Sequence, residues 1–521
     1  MPAASFKDLK RPKNHENPVD VIGFDDKPPE KKSKHALPRA IDDRSATLTT
    51  IRYSKLRRSL RTGSPEFYRK RAWGSVLTMS SAPAEPNRDG IKVGPVWIEP
   101  GFSRLNVYTL LYAAFFTIAS SVFLSSTQPY LFNTILNIPL ENQGALSGRL
   151  VLFNELVVIV LIGPLGLLAD KIGRRPIYAA GYVFLFIGYM LYPTAESIAE
   201  LTAYRMIFAV GVACNTAMIT TITADYPQNA WRGKLLGLCG LLQGIGVVIV
   251  LRTSSLMPGW FVEGGVDQIA AGRMTFWTFA AICLINAIII RIGLKGGTPS
   301  TKTEKEPLPD ILSKGLKAGR NPRVALSYVA AFVSRGDLTV VSTFFSLWLV
   351  QAGMANGYSA EEALERGILF FVVVQTFAVL WAPFAGVIID RVDRVTALSI
   401  AMAIAAIGYL SLGFIGDPTQ PIMYGAAVIL GMGEINAVLA AQALIGQEAP
   451  KDGRGAVVGV FGFFGAIGIL LAASIGGYLF DAWMPAGPFV LMGVANATLF
   501  CIAVCVRVFA SSPNVSIKQS A

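Results

Sequence analysis

The stretch GLLADKIGRR, from Gly166 to Arg175, returns later in the chain as GVIIDRVDRV, from Gly386 to Val395. A second landmark also repeats, because YPQNAWRGKLLGL around Arg232 returns as APKDGRGAVVGV around Arg454. The two copies lie about 220 residues apart in both cases. Two independent landmarks at nearly equal spacing indicate a chain of two parallel halves, an arrangement that places a cavity between pseudo-symmetric bundles.

The composition places these halves in a membrane. Of the 521 residues, 53% are hydrophobic and 15% are charged, whereas soluble domains carry about 25% charged residues. Twelve apolar runs, each of the roughly 18 to 25 residues that cross a hydrocarbon core of ~30 Å, lie between Asn106 and Phe509. The sequence therefore predicts an all-α membrane protein with twelve transmembrane helices in two pseudo-symmetric six-helix bundles.

The same pattern predicts five segments along the chain. They are a basic, largely disordered cytoplasmic N-terminal extension (1–104), an N-terminal six-helix bundle (105–293), a cytoplasmic linker (294–323), a C-terminal six-helix bundle (324–510) and a cytoplasmic tail (511–521). The extension is rich in Pro, Ser, Lys and Asp and has no sustained apolar period, which is typical of disordered segments.

The distribution of basic residues predicts the orientation. The chain holds 46 Lys and Arg residues, and such residues accumulate on the cytoplasmic side of a membrane. Nearly all of them lie in the extension, the linker and the loops of one side, and the opposite side has only Arg149, Arg252, Arg273 and Arg366. We therefore expect a multi-pass protein of the cell inner (plasma) membrane with both termini in the cytoplasm.

The extension contains a densely basic segment, from Ile51 to Trp73. A segment of this type next to a membrane binds anionic lipid headgroups, and the alternative is a solvated tail that only follows the distribution of positive charge. Neither interpretation requires nucleic acid as a partner.

Several chemistries are not predicted. Both histidines, His15 and His35, lie in the extension, and the five cysteines lie in apolar runs, so neither a metal site nor a cofactor is indicated. The sequence has no GxxxxGK[ST] loop, so we do not expect ATP to drive the protein directly. Because no nucleophile, base and orienting residue form a recognisable set, we do not expect an enzyme.

The loop that ends at Arg175 requires its residue types for physical reasons. Gly166 permits close approach of a neighbouring helix, and Gly173 permits a tight turn. The loop also carries a charge cluster, which consists of Asp170, Lys171, Arg174 and Arg175. Such a cluster can hold two bundles together and release them when they rock, or it can simply anchor the helices at the inner face.

This loop resembles the signature of the major facilitator superfamily, Gly-x-Leu-Ala-Asp-Arg/Lys-x-Gly-Arg-Arg/Lys. The resemblance implies alternating access by rocking of the two halves, with Asp170 and Arg174 as gating residues on the cytoplasmic side. The second copy keeps Asp390 and Arg391, which we also expect to contribute to gating. It departs from the signature at Asp393, which takes the place of the glycine.

Ionisable residues inside an apolar run are functional candidates, because each costs about 2.5 to 3.5 kcal/mol to insert. Glu155 precedes Asp170 by the same number of residues as Gln375 precedes Asp390, so only one half has an acid there. This asymmetry favours proton coupling through Glu155, and the alternative is packing against a polar neighbour. Arg205, which opens RMIFAVGVACN, is a further candidate because that run is similar to the family's Arg-led motif in the fourth helix.

The seventh run contains Arg335 and Asp337 near its middle. Two helical residues at this spacing point roughly 200° apart, so they should not satisfy each other. Glu434 in the tenth run is the expected partner of Arg335, across a cavity that the resembled family lines with its first, fourth, seventh and tenth helices. The alternative is a structural ion pair within the second bundle.

Two further residues complete the set of substrate candidates. Tyr112 belongs to an aromatic stripe in the first run, and Asn215 lies in the fourth. Such stripes are more often packing than binding surfaces. On the cavity-lining helices of the resembled family, however, these residues would contact an amphipathic substrate.

Together these features predict a secondary active transporter of a small organic solute, by alternating access and with proton coupling through Glu155, Asp337 or Glu434. The fifth run, GLCGLLQGIGVVIV, lacks the Gly-Pro pair that marks many drug antiporters of the family, which favours an organic anion as substrate. Two alternatives are efflux of drugs or metabolites by proton antiport, and a membrane sensor or assembly scaffold that keeps the transporter fold.

Overall fold

A computed structural model describes residues 89–297, 308–450 and 453–509. Within them, twelve helices are long and apolar enough to cross a membrane, which confirms the predicted fold class. We number them α1 (Arg104–Thr134), α2 (Leu140–Ile172), α3 (Arg174–Leu191), α4 (Ile198–Asp225), α5 (Arg232–Glu263), α6 (Gln268–Gly293), α7 (Pro322–Ala355), α8 (Ala360–Arg391), α9 (Arg394–Leu412), α10 (Ile422–Glu448), α11 (Arg454–Ala482) and α12 (Gly487–Phe509).

The two copies of the repeated loop end their helices by different means. Gly173 separates α2 from α3 with φ +94°, a backbone conformation that residues with a side chain rarely adopt. Asp393 separates α8 from α9 with φ −59°, and its Oδ1 accepts a hydrogen bond of 3.0 Å from the N–H of Val395. The second turn is therefore stabilised by an N-cap instead of a glycine.

The seventh membrane helix is irregular and is preceded by a short linker helix. The linker helix, Leu308–Ala318, packs on α11, and its Gly315 carbonyl accepts a hydrogen bond of 2.8 Å from the hydroxyl of Tyr328. Within α7, Val341–Phe345 form a π turn. Single π turns inside α-helices are frequent at functional sites.

We call the end of the molecule with the two repeated loops the motif end, and the other the opposite end. At the opposite end the two halves touch. The carboxylate of Asp481 in α11 accepts hydrogen bonds of 2.9 and 2.7 Å from the N–H groups of Gly144 and Ala145 in α2. Arg252 in α5 forms an ion pair of 3.1 Å with Glu365 in α8.

Toward the motif end the same helices separate. Gly148 of α2 lies against the Ala473 carbonyl of α11, whereas a Cβ atom at Gly166 would find no heavy atom within 4 Å. In α11, Gly462 likewise faces open space. The two halves therefore lie apart toward the motif end, and we call the space between them the central cavity. In this conformation Gly166 does not contact a neighbouring helix, contrary to the prediction of close approach.

The last part of the N-terminal extension is ordered. Ile91–Val93 and Val96–Ile98 form an antiparallel hairpin, and Ile98 bridges to Pro227 in the loop between α4 and α5. The prediction that residues 1–104 are largely disordered did not include this hairpin, because a three-residue strand is too short for a recognisable apolar period. The predicted lipid-binding segment Ile51–Trp73 and the tail 511–521 lie outside the described residues.

Candidate functional site

The first copy of the loop joins four helices of the N-terminal half. Arg174 forms an ion pair with Asp225 at the end of α4, and it also interacts electrostatically with Asp170. Arg175 donates a hydrogen bond of 3.5 Å to the carbonyl of Leu294, just after α6. These contacts connect α2, α3, α4 and α6 at the motif end. Lys171 is exposed beside them.

The second copy uses an arginine that the sequence analysis did not select. Arg323, at the start of α7, is only 1% exposed. Its NH2 group donates a hydrogen bond of 2.7 Å to Asp393, and its Nε lies 2.9 Å from Glu448 at the end of α10. Arg507 of α12 lies 3.7 Å from the other oxygen of Asp393. The start of α7, the loop and the end of α10 are therefore held together.

These partners set the ionisation of Asp393. Partial burial acts to raise the pKa of its carboxyl, but the hydrogen bond and charge of Arg323, the Val395 N–H and the charge of Arg507 outweigh burial. The pKa of Asp393 therefore lies below its usual value, and this carboxylate stays ionised.

The predicted gating residues of the second copy form a smaller contact. Asp390 near the end of α8 pairs at 3.1 Å with Arg394 at the start of α9, across the turn between the two helices. Arg391, which we expected to take part, is exposed and forms no ion pair within the described residues. The turn capped by Asp393 brings Arg394 back to Asp390, whereas Arg391 is exposed at the end of α8.

Sequence reasoning missed Arg323 and Glu448 because both lie at helix ends, where basic and acidic residues are common. A signal was present, however. Asp225 and Glu448 are separated along the chain by nearly the same number of residues as the two repeated landmarks. Both carboxylates bind an arginine at the same junction of their halves.

Glu155 and Arg335 face each other across the central cavity. They come from different halves, α2 and α7, and each is the charged group with which the other interacts electrostatically. The Arg335 side chain is accessible from the cavity and lies against Gly465 of α11, where an added Cβ would come within 2.9 Å of its Cγ. The interaction of Glu155 with Arg335 acts through space, because the two side chains form no ion pair within 4 Å in the described part of the chain.

The expected partnership between Arg335 and Glu434 is not found among the described residues, because the acid that interacts electrostatically with Arg335 is Glu155 and Glu434 is buried within the C-terminal half. Asp337 and Glu434 instead interact with each other in the interior of the C-terminal half. The reason is helix rotation. Because Arg335 and Asp337 lie on different faces of α7, the arginine reaches the cavity while Asp337 is buried against α10 and α12.

Arg205 lies inside the N-terminal half and is 4% exposed. Its guanidinium stands over the ring of Phe208, 5.3 Å from the centroid, and it interacts electrostatically with Tyr192. The Tyr192 hydroxyl in turn donates to Gln128 at 2.9 Å. These contacts belong to the packed interior of the bundle.

Tyr112 and Asn215 are not brought together at the cavity. The hydroxyl of Tyr112 donates a hydrogen bond of 2.5 Å to Asn286 of α6. Asn215 is 2% exposed and fills the space that Gly181 leaves on α3. Both side chains therefore contact neighbouring helices of their own bundle. Residue type alone does not reveal how far each helix is rotated about its axis, so this orientation was not predicted.

A surface pocket of about 320 Å³ lies elsewhere, at the opposite end of the C-terminal half. Its lining includes Arg366, Tyr358, Tyr424 and Thr419. None of the predicted site residues lines this pocket, so it is separate from the central cavity.

Twelve spans in two repeated halves, with a cavity that opens at one end and opposed charges on facing helices, define a multi-pass membrane transporter. A family model described as Major Facilitator Superfamily matches residues 110–473 and, in a second match, 373–520. The chain belongs to the Major Facilitator Superfamily, as its repeated loop indicated. Members of this family are transporters, and no catalytic activity is indicated.

Curated relatives include magnetosome proteins. The chain is 28% identical over 388 residues to magnetosome protein MamH of Paramagnetospirillum magneticum, covering 72% of this chain and 86% of the relative. It is 28% identical over 417 residues to magnetosome protein MamZ of Magnetospirillum gryphiswaldense, covering 75% of this chain and 60% of the relative. The chain therefore spans less than two thirds of the length of MamZ.

Solved structures share the fold at low sequence identity. The nucleoside transporter NupG matches with a TM-score of 0.62 and 13% identity, covering 79% of this chain and 100% of NupG. A bacterial homologue of the human lysosomal transporter Spinster, in an inward-facing and unoccupied conformation, matches with a TM-score of 0.58 and 17% identity, covering 79% and 100%. These similarities concern the fold alone.

Proposed function

We propose that this protein is a secondary active transporter of a small organic anion, which it moves together with a proton by alternating access. The observation that carries the proposal is the placement of Glu155 and Arg335, one from each half, on facing sides of the central cavity. Because the two charges belong to different halves, both a bound substrate and the movement of the halves would change the interaction between them.

The proposed cycle follows from the cost of leaving a charge unpaired within the membrane. An anion that enters the cavity binds the accessible guanidinium of Arg335 and takes the place of the Glu155 carboxylate. The released carboxylate loses its cation, and an unpaired intramembrane charge costs about 2.5 to 3.5 kcal/mol. Glu155 therefore binds a proton when the anion binds, which couples the two.

Alternating access requires the halves to exchange their contacts. In the second state the bridges at the opposite end, Arg252 to Glu365 and Asp481 to Gly144, would open. Gly166 and Gly462, which face open space, would then meet the other half. We further propose that the motif end faces the cytoplasm of an inner membrane and that both termini lie there, on the basis of the basic residues.

Efflux by proton antiport is the second candidate. It is favoured by the similarity to the tetracycline resistance protein of class C from Escherichia coli, at 24% identity over 316 residues and 60% of this chain. An efflux protein would bind apolar, cationic compounds, and the Arg335 guanidinium in the cavity would repel them. A sensor or scaffold role would leave the protein without solute flux.

Flux through reconstituted liposomes tests the proposal. A panel of organic anions and of cationic drugs is offered to the wild-type protein, with and without an inward proton gradient. We expect accumulation of an anion that the gradient increases. For Arg335→Gln we expect at least a tenfold loss of anion binding, and for Glu155→Gln we expect retained anion exchange without response to the gradient.

Glu362→Gln, at an exposed position of α8 outside the cavity, serves as the matched control and should keep coupled uptake. Coupled uptake by Glu155→Gln would refute the role of Glu155, and gradient-driven export of cationic drugs would support efflux instead. A protein that shows no flux of any compound, but whose loss alters a cellular response, would favour the sensor or scaffold.

A further inference from the structure

A second polar site lies inside the C-terminal half, away from the cavity. It is formed by four side chains from four helices, which are Asp337 of α7, Tyr409 of α9, Glu434 of α10 and Asn496 of α12. Each of these residues is at most 3% exposed. We call this group the inner cluster.

The inner cluster leaves several oxygen atoms without a partner. The amide nitrogen of Asn496 donates hydrogen bonds of 2.9 and 3.1 Å to the two carboxylate oxygens of Asp337. It also donates to the carbonyl of Met492, so its donor capacity is used. The Oδ1 of Asn496, the Oε2 of Glu434 and the hydroxyl of Tyr409 have no hydrogen-bond partner among the described residues. Buried polar atoms without a partner are rare and call for an explanation.

No basic side chain among the described residues neutralises the cluster. Asp337 and Glu434 interact electrostatically with each other, and both interact with Tyr409. Neither forms an ion pair within the described part of the chain. Arg335 is close in sequence but lies on the cavity face of α7, where its partner is Glu155. Two acids thus lie in one buried cluster without a basic partner in the described part of the chain, an arrangement that is costly within a membrane when both are ionised.

We propose that the inner cluster is a binding site for a monovalent cation, with Na⁺ as its ligand. The available donors are carboxylate, amide and phenol oxygens, the ligand type that hard cations prefer. Mg²⁺ keeps several waters when it binds a protein, and the buried cluster provides no water-exposed side for them. A bound cation would also relieve the repulsion between the two carboxyl groups.

The position of the cluster on α7 gives this site a function. Arg335 and Asp337 project from one helix, the first into the cavity and the second into the cluster, and the π turn Val341–Phe345 follows directly. Cation binding would therefore act on the same helix as the substrate. This last step rests on the proposed anion transport, whereas the cation site itself does not.

Thermal unfolding of the purified full-length protein tests the site. The melting temperature is compared in NaCl, KCl, choline chloride and CaCl₂ at equal ionic strength and fixed pH. We expect Na⁺ to raise the melting temperature by about 3 °C over choline, because a ligand that binds only the folded state stabilises it. Asp337→Asn and Glu434→Gln should abolish the shift. Equilibrium dialysis with radioactive Na⁺ measures binding directly.

Two variants keep the test conclusive. Tyr409→Phe removes a single oxygen from the cluster, so it preserves packing and should weaken Na⁺ binding at least threefold. Glu362→Gln makes the same chemical change as Glu434→Gln at an exposed position and should keep the full shift. No Na⁺ response in a folded wild-type protein, or a response to Ca²⁺ alone, would overturn the proposal. Arg335→Gln should lose anion binding but keep the Na⁺ shift, so the two proposals can fail separately.

Discussion

The two copies of the repeated loop close the same junction with different arginines. In the first half, Arg174 from the start of α3 binds Asp225, and both side chains are partly exposed, at 20% and 35%. In the second half, Arg323 from the start of α7 binds Asp393 and Glu448, and it is almost fully buried. Both halves thus have a carboxylate at the same place, at the end of the fourth helix and of its counterpart, the tenth. The arginine that binds this carboxylate comes from α3 in the first half and from α7 in the second.

This difference determines how the two junctions should respond to substitution. A pair that water can reach gains little from its charges, whereas removal of one member of a buried pair leaves the other without compensation. The first junction is therefore suited to opening and closing, and the second is suited to holding its half together.

The largest expected effect is that of Arg323→Ala. It leaves Asp393 and Glu448 without their buried cation and should lower the stability by about 3 to 5 kcal/mol. Arg174→Ala should lower it by at most about 1 kcal/mol, because its ion pair is hydrated. Thermal or denaturant unfolding in micelles measures both. Equal losses for the two variants would contradict the comparison.

An intermediate effect is expected at the turns themselves. Gly173→Ala places a side chain at φ +94° and brings its Cβ to 2.7 Å from the carbonyl oxygen of Gly297, which should cost about 1 to 3 kcal/mol. Gly386→Ala in the second copy meets no atom within 4 Å and lies inside helix α8, so it should be neutral or stabilising by up to about 1 kcal/mol. The free energy of unfolding of both variants measures these effects. A loss of stability in Gly386→Ala, with none in Gly173→Ala, would contradict the assignment of the strained turn to the first copy.

The smallest effect is a pH dependence. Because the folded-state pKa of Asp393 is depressed, its contribution is present above the unfolded pKa of about 3.9 and is lost as the pH falls through the lower folded value. Relative to Asp393→Asn, the wild-type protein should be more stable by less than about 1 kcal/mol at pH 5 to 7, since the carboxylate is partly exposed.

Melting temperatures of both proteins from pH 7 to pH 3.5 measure this difference, which should shrink only below about pH 4. If the difference already disappeared at pH 6, Asp393 would not be the group responsible.

The amino-acid sequence by itself determined the number of spans, the division into two halves, the family and the position of the repeated loop. These features depend on the length of apolar runs and on local motifs, which a single segment carries regardless of its neighbours. The intramembrane position of Glu155, Arg335, Asp337 and Glu434 followed from the same reasoning.

Only the tertiary structure decided which of these charges meet. Arg335 faces Glu155 instead of Glu434, and Asn215 fills the space beside Gly181 instead of the cavity. Arg323 binds both carboxylates of the second junction, although the residues around it in the sequence indicated only the start of a helix. The physical reason is that pairing depends on the rotation and tilt of helices far apart in the chain, and packing between helices sets those angles, not the hydrophobic length of any one of them.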